Sequence, residues 1–171
     1  VLACNSYEII DIGVMVPPEK IIEAAKAHKV DIVGLSGLIT PSLDEMVTMA
    51  KEMEKADLDV PLLIGGATTS KIHTAVKIDE NYRKGQTVYV LDASRSVPVV
   101  EKLLGKDNVA YATEIKEEYE VLRTDYANKK EKINYTTLAK ARENKLNLDF
   151  SSIDIPNFIG TKVFENYALE E

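Results

Sequence analysis

Three short stretches bring small and hydroxyl-bearing residues together in a way that could hold a bulky ligand. They are Ser36-Gly37-Leu38-Ile39-Thr40-Pro41-Ser42, Gly65-Gly66-Ala67-Thr68-Thr69-Ser70 and Asp92-Ala93-Ser94-Arg95-Ser96. Small residues let a ligand come close to the backbone. Hydroxyls donate and accept hydrogen bonds without bringing charge. Each stretch also has a plainer reading. A Ser or Thr after a strand often only caps the next helix, and a Gly-Gly pair often only makes a tight turn. The spacing rules out two phosphate cradles: there is no G-x-G-x-x-G fingerprint, and no Gly-Lys-Ser/Thr closes the glycine pair.

Other reactive side chains are scattered. His28, His73 and the single cysteine, Cys4, form no metal-ligand cluster in the sequence. Cys4 has no nearby histidine to activate it, which argues against a nucleophile. Glu117, Glu118 and Glu120 read as a solvated helix face.

The elements that must position these stretches alternate in type, which points to βα units and a mostly parallel sheet. Strands are expected at Tyr7–Ile12, Asp31–Ser36, Val60–Ile64 and Thr87–Leu91, with a last short one at Asn108–Tyr111. A helix opens at Pro17-Pro18 and carries Ile21, Ile22, Ala24, Ala25 and Ala27 on its apolar side. A second has Thr40 as N-cap and Pro41 at its first position, with Leu43, Met46, Val47, Ala50 and Met53 at helical spacing. Shorter helices are expected near Ser70–Ile78 and Val97–Leu104. Then Ile115, Tyr119, Leu122 and Tyr126 mark a long amphipathic helix, with Lys129, Lys130 and Lys132 near its end. Thr136–Asn144 reads as a short helix, and Asn147–Glu171 has no clear period. In such a sheet ligands bind beyond the carboxyl ends of the strands, where all three stretches fall.

The 171 residues suffice for one domain and an appendage. The net charge of −7 lacks the basic footprint that nucleic acid demands. No apolar run is long enough for a membrane span, and one cysteine permits no disulfide within the chain. A reducing, cytoplasmic setting is expected. The opening on apolar Val1–Cys4, without a methionine, reads as a fragment that starts inside a structural element.

The run Gly34-Leu35-Ser36-Gly37-Leu38-Ile39-Thr40-Pro41-Ser42-Leu43-Asp44-Glu45-Met46 resembles the cobalamin-dependent methionine synthase family. So does Pro61-Leu62-Leu63-Ile64-Gly65-Gly66-Ala67-Thr68-Thr69-Ser70. Asp11-Ile12-Gly13-Val14-Met15-Val16-Pro17 and Tyr89–Val97 also fit, so the likeness covers roughly residues 1–150. Asn157-Phe158-Ile159-Gly160-Thr161 through Glu171 is similar to the lead-in to that family's reactivation domain, which binds S-adenosylmethionine.

The resemblance implies a flavodoxin-like, doubly wound parallel sheet with a C-terminal helical linker. Residues 1–112 would be the cobalamin-binding domain, 113–150 the helical extension and 151–171 the start of the reactivation domain. It implies methyl transfer from methyltetrahydrofolate to homocysteine through methylcobalamin, in a parent protein with further domains. By resemblance Ser36 and Thr40 contact the nucleotide tail of cobalamin. Gly65 and Gly66 let the tail pass between strands, and Ala93 lines the far wall. Ser42 ends a hydrogen-bond relay to the histidine that ligates cobalt.

That histidine lies in an Asp-x-His-x-x-Gly motif, which this sequence lacks. No metal ligand is therefore assigned here. The chain alone is expected to bind cobalamin weakly or not at all, and not to turn over. The family's first, central strand is absent with the motif, which would leave sheet edges open to self-association. Two rival readings share the fold. One is a stand-alone corrinoid carrier for another methyltransferase, which would usually end sooner. The other is a cofactor-free signalling module, which would need an acidic cluster after its first strand.

Overall fold

The computed structural model describes residues 1–131 and 135–165. Two compact units divide the chain, one over residues 1–133 and one over 134–171.

The first unit is built on three parallel strands: β1 (Val33–Ser36), β2 (Leu62–Gly65) and β3 (Thr87–Tyr89), in the order β1-β2-β3. Val33 pairs with Leu62 and Ser36 with Gly65; Leu62 pairs in turn with Thr87. β2 is central, and its Leu62, Leu63 and Ile64 are all buried, as a strand covered on both faces requires. The alternation of side chains sends Leu62 and Ile64 to one face and Leu63 to the other.

The Leu62–Ile64 face packs against α1 (Pro18–His28) and α2 (Ser42–Lys55). α2 contributes Met46, Met49, Ala50 and Met53, spaced three and four residues apart so that they share one stripe. α1 begins with Pro18 at a position whose N–H needs no partner, and ends with Lys29 in the left-handed region (φ 50°). Lys26 Nζ donates to Ala56 O (2.8 Å), tying the two helices together. Between β2 and β3 the chain forms a turn of helix, α3 (Lys71–His73), then a wide π turn at Thr74–Ile78, and Tyr82. The Tyr82 hydroxyl donates to Val60 O (2.6 Å) in the same core.

The Leu63 face packs against α4 (Ser96–Leu104) and α5 (Asn108–Glu131). Ile115 and Tyr119 of α5 are buried there with Val88, Val90 and Val100. Tyr119 Oη accepts from the Tyr89 N–H (3.0 Å), so a side chain occupies part of the outer edge of β3. Arg123 donates to Ala75 O (2.8 Å) and Asp79 Oδ2 (3.0 Å), which clamps α5 to the π turn.

Several sequence-based expectations need correction. Tyr7–Ile12 forms no strand. It makes no ladder pairs, and Ile9, Ile10 and Ile12 are exposed. A strand needs a neighbour, and β1 pairs only with β2 among the described residues. A cavity of about 390 Å³ lies between this segment, Gly34 and Leu63 of the sheet, and Val100 and Leu104 of α4. Asn108–Tyr111 is not a strand but the first turn of α5, where the Tyr111 N–H donates to Asp107 O (2.9 Å). A short apolar run cannot distinguish the two by periodicity. That helix, Asn108–Glu131, lies within the first unit. Thr40 is not the N-cap of α2; Pro41 holds that place and makes no side-chain cap. Tyr126 is exposed rather than part of the buried stripe.

In the second unit α6 (Leu138–Glu143) starts at Thr137, whose Oγ1 accepts from the Lys140 N–H (3.3 Å). Its described residues past Asn144 form no helix or strand. Lys132 and the last six residues of the expected tail lie outside the described residues.

Candidate functional site

The carboxyl ends of β1, β2 and β3 place the three hydroxyl-rich stretches along one rim. Register sets the first two side by side. Ser36 ends β1 directly opposite Gly65, which ends β2. The ladder continues one residue further, with the Gly37 N–H donating to Gly65 O (2.9 Å). Register partners in a parallel pair present their side chains to the same face, so the place beside the Ser36 hydroxymethyl is the one Gly65 leaves bare.

The hydroxyls divide into two kinds. In the second and third stretches they stabilise the loops themselves. Thr69 Oγ1 donates to Gly66 O (2.8 Å), and Ser70 Oγ accepts from the His73 N–H (3.2 Å) as an N-cap. Ser94 Oγ donates to Asp92 Oδ1 (2.5 Å), and Ser96 Oγ donates to Ala93 O (2.6 Å). Asp92 also accepts from the Arg95 N–H (2.9 Å). The Ser94 hydroxyl and that N–H hold the Asp92 carboxyl below its usual range. The plain capping reading thus accounts for these residues.

It does not account for the first stretch. Among the described residues no hydrogen bond engages the hydroxyls of Ser36, Thr40 or Ser42, and Ser36 and Thr40 are exposed. Around them the rim is apolar: Leu38 is 78% exposed, Ile39 61% and Leu91 60%. Exposed aliphatic side chains beside unpartnered hydroxyls suit a large ligand with an apolar face and a polar arm. Ala93 lies exposed in the turn after β3, at the same rim.

The two adjacent glycines have different structural reasons. Gly66 has φ +108°, and a Cβ there would fall 2.2 Å from Gly37 O and 2.4 Å from Gly37 N. Its lack of a side chain is demanded by the protein. Gly65 has no such constraint: a Cβ there would meet only Val90 O, at 3.4 Å, an ordinary contact. Nothing in the protein needs Gly65 to be bare, so the open place beside Ser36 is available to a ligand.

Residues 1–80 match the family model of the B12 binding domain. The B12 binding domain match supports a cobalamin-binding domain over that part of the chain. It takes in β1, β2 and the first two stretches, whereas β3 and Ala93 lie past it. A parallel sheet with helices on both faces is the flavodoxin-like α/β fold of B12 binding domains.

The residues present fit part of the cofactor. The bare place at Gly65 and the free hydroxyls of Ser36 and Thr40 fit a polar nucleotide arm, and the apolar rim fits the face of a macrocycle. The metal is different. Among the described residues no group of three or more His, Cys, Asp or Glu side chains could hold an ion. His28 is exposed at the end of α1. His73 follows β2 with its Nδ1 buried and unpartnered, and burial lowers its proton affinity. No described helix is long and apolar enough to cross a membrane. Gly37 escaped the sequence reading as a site residue, although its place one step past β1 and opposite a glycine pair was a usable signal.

Proposed function

We propose that this chain is the cobalamin-binding module of a methionine synthase, and that its rim holds the nucleotide tail of the cofactor. The observation that carries the reading is the contrast on the rim. Ser36 keeps an unpartnered hydroxyl beside a glycine the protein does not itself require, and the Thr40 hydroxyl in the same loop is unpartnered too, within the part that matches the B12 binding domain.

In this reading Ser36 and Thr40 hydrogen-bond the tail, and Gly65 leaves room for it beside Ser36 on one face of the sheet. Gly66 keeps the two loops close, and Ala93 closes the far side. Ser42 faces the relay that would reach a lower-ligand histidine supplied from outside this chain. Bound cobalamin supplies a transferable methyl group; the chain binds it and excludes water from its tail. The tail after residue 150 leads, on this reading, into a domain that binds S-adenosylmethionine. The likeness of Asn157–Thr161 to the methionine synthase family favours this over a stand-alone corrinoid carrier.

The test is methyl transfer by the natural protein that contains this chain, loaded with cobalamin. Methylation of homocysteine from methyltetrahydrofolate is expected. Methylation of another acceptor only, with homocysteine untouched, would contradict the methionine synthase assignment and favour the carrier.

A further inference from the structure

Gly37 is buried although its neighbours Ser36 and Leu38 are exposed. Its backbone is pressed from one side by the second rim loop. It fills the place of the missing Gly66 Cβ, and its carbonyl accepts from the Thr68 N–H (3.4 Å). From the other side α2 closes in. A Cβ on Gly37 would lie 3.0 Å from Met46 Cε, 3.1 Å from Ser42 Cβ and 3.2 Å from Thr68 Oγ1. Met46 Cε is the end of a flexible side chain and can move aside. Ser42 Cβ is fixed to the first residue of α2, and Thr68 belongs to the loop that carries Gly66.

We infer that Gly37 is a positioning residue: it sets the spacing between the first rim loop, the second rim loop and the start of α2, and so the placement of the Ser36, Thr40 and Ser42 hydroxyls. The inference rests on the cobalamin reading for what those hydroxyls bind, but not for the joint itself. Any side chain at 37 must push Ser42 and Thr68 apart, because the Gly66 side of the joint has no room to yield. The strand and core stay in place while the hydroxyls move.

The test compares Gly37→Ala with Gly34→Ala by amide NMR of the ligand-free chain and by methylcobalamin binding to the natural protein that contains it. Gly34 lies on the same strand, and a Cβ there has nothing within 4 Å. In the ligand-free chain Gly37→Ala is expected to shift the amides of Ser42 and of Gly66–Thr68, and Gly34→Ala to leave them unmoved. With methylcobalamin, Gly37→Ala is expected to weaken binding at least tenfold and Gly34→Ala to leave it unchanged. Adding Thr68→Ala to Gly37→Ala removes the 3.2 Å contact with Thr68 Oγ1, so the new methyl can draw away from Ser42 Cβ toward the space that side chain leaves. The double variant is expected to recover to the affinity of Thr68→Ala alone.

Unmoved amides in Gly37→Ala, equal losses in both single variants, or no recovery in the double variant would overturn the inference. If Gly37→Ala does not fold, the double variant decides. Folding with recovered binding supports the joint, and failure to fold overturns it. If the natural protein that contains this chain shows no response to methylcobalamin, the cofactor reading fails, and the ligand-free shifts alone decide whether Gly37 spaces the loops.

Discussion

Ser36 and Gly65 stand opposite each other at the ends of adjacent parallel strands, one offering a hydroxyl without a partner and the other offering no side chain. The pair leaves a bare place beside the Ser36 hydroxymethyl, on one face of the sheet at its carboxyl edge. The next residues on both strands, Gly37 and Gly66, do the opposite: they press their backbones together. One glycine pair position is therefore open to a ligand while its neighbour is closed by the protein.

That difference separates two substitutions that look alike in sequence. Gly66→Ala should strain a backbone at φ +108° and overlap Gly37, and the strain alone costs about 1–3 kcal/mol. Gly65→Ala should leave stability within about 1 kcal/mol of the parent, yet abolish methylcobalamin binding. Thermal melts of the chain, and methylcobalamin titrations of the natural protein that contains it, check this for both variants. A Gly65→Ala chain that binds normally would place the tail elsewhere.

The hydroxyls should divide in the same way. Ser36→Ala and Thr40→Ala each remove one ligand hydrogen bond, worth about 0.5–1.5 kcal/mol, and should weaken binding roughly 3–10-fold with little change in melting. Ser70→Ala removes the cap on the His73 N–H (3.2 Å). It should lower stability by about 1 kcal/mol. Loss of stability in Ser36→Ala would show that its hydroxyl serves the fold instead.

Much of this was legible in the sequence because it depends on local pattern. The unbroken apolar run of β2 announced a strand covered on both faces, and the methionines of α2 announced a buried stripe. What was missed depends on partners distant in sequence. Tyr7–Ile12 has the composition of a strand but no neighbour to pair with, and composition cannot supply one. Asn108–Tyr111 is too short for its period to reveal a helix. The need for glycine at 37 arises from Gly66, Ser42 and Thr68, none of them adjacent to it. Likewise, only the hydrogen bonds of the folded chain separate the capping serines from Ser36.

Thr87 offers a test of the core away from the rim. It is fully buried in β3 and its Oγ1 has no hydrogen-bond partner. A buried hydroxyl left unpaired is destabilising, so the nearly isosteric Thr87→Val should raise stability by about 1 kcal/mol. A higher melting temperature is expected; a lower one would mean that the hydroxyl is engaged.

His73 should make stability depend on mildly acidic pH. Burial lowers its proton affinity below the ordinary value of 6.5, with Lys77 adding to the lowering and Asp44 opposing it. The unfolded chain then binds the proton more readily than the folded one. The penalty is absent well above pH 6.5 and grows as pH falls from there toward the folded-state value. Denaturant midpoints measured from neutral to mildly acidic buffer should fall, and His73→Gln should flatten that part of the slope. An unchanged slope in the variant would assign the dependence to other groups.

Whether this rim takes the nucleotide tail of cobalamin is tested most directly by amide NMR of its three loops. The natural protein that contains this chain would be titrated with methylcobalamin and, separately, with a corrinoid that lacks the tail. Shift changes confined to residues 36–42, 65–70 and 92–96, produced by methylcobalamin and not by the tailless corrinoid, are the predicted result. No change at these loops, or the same change with both ligands, would contradict it.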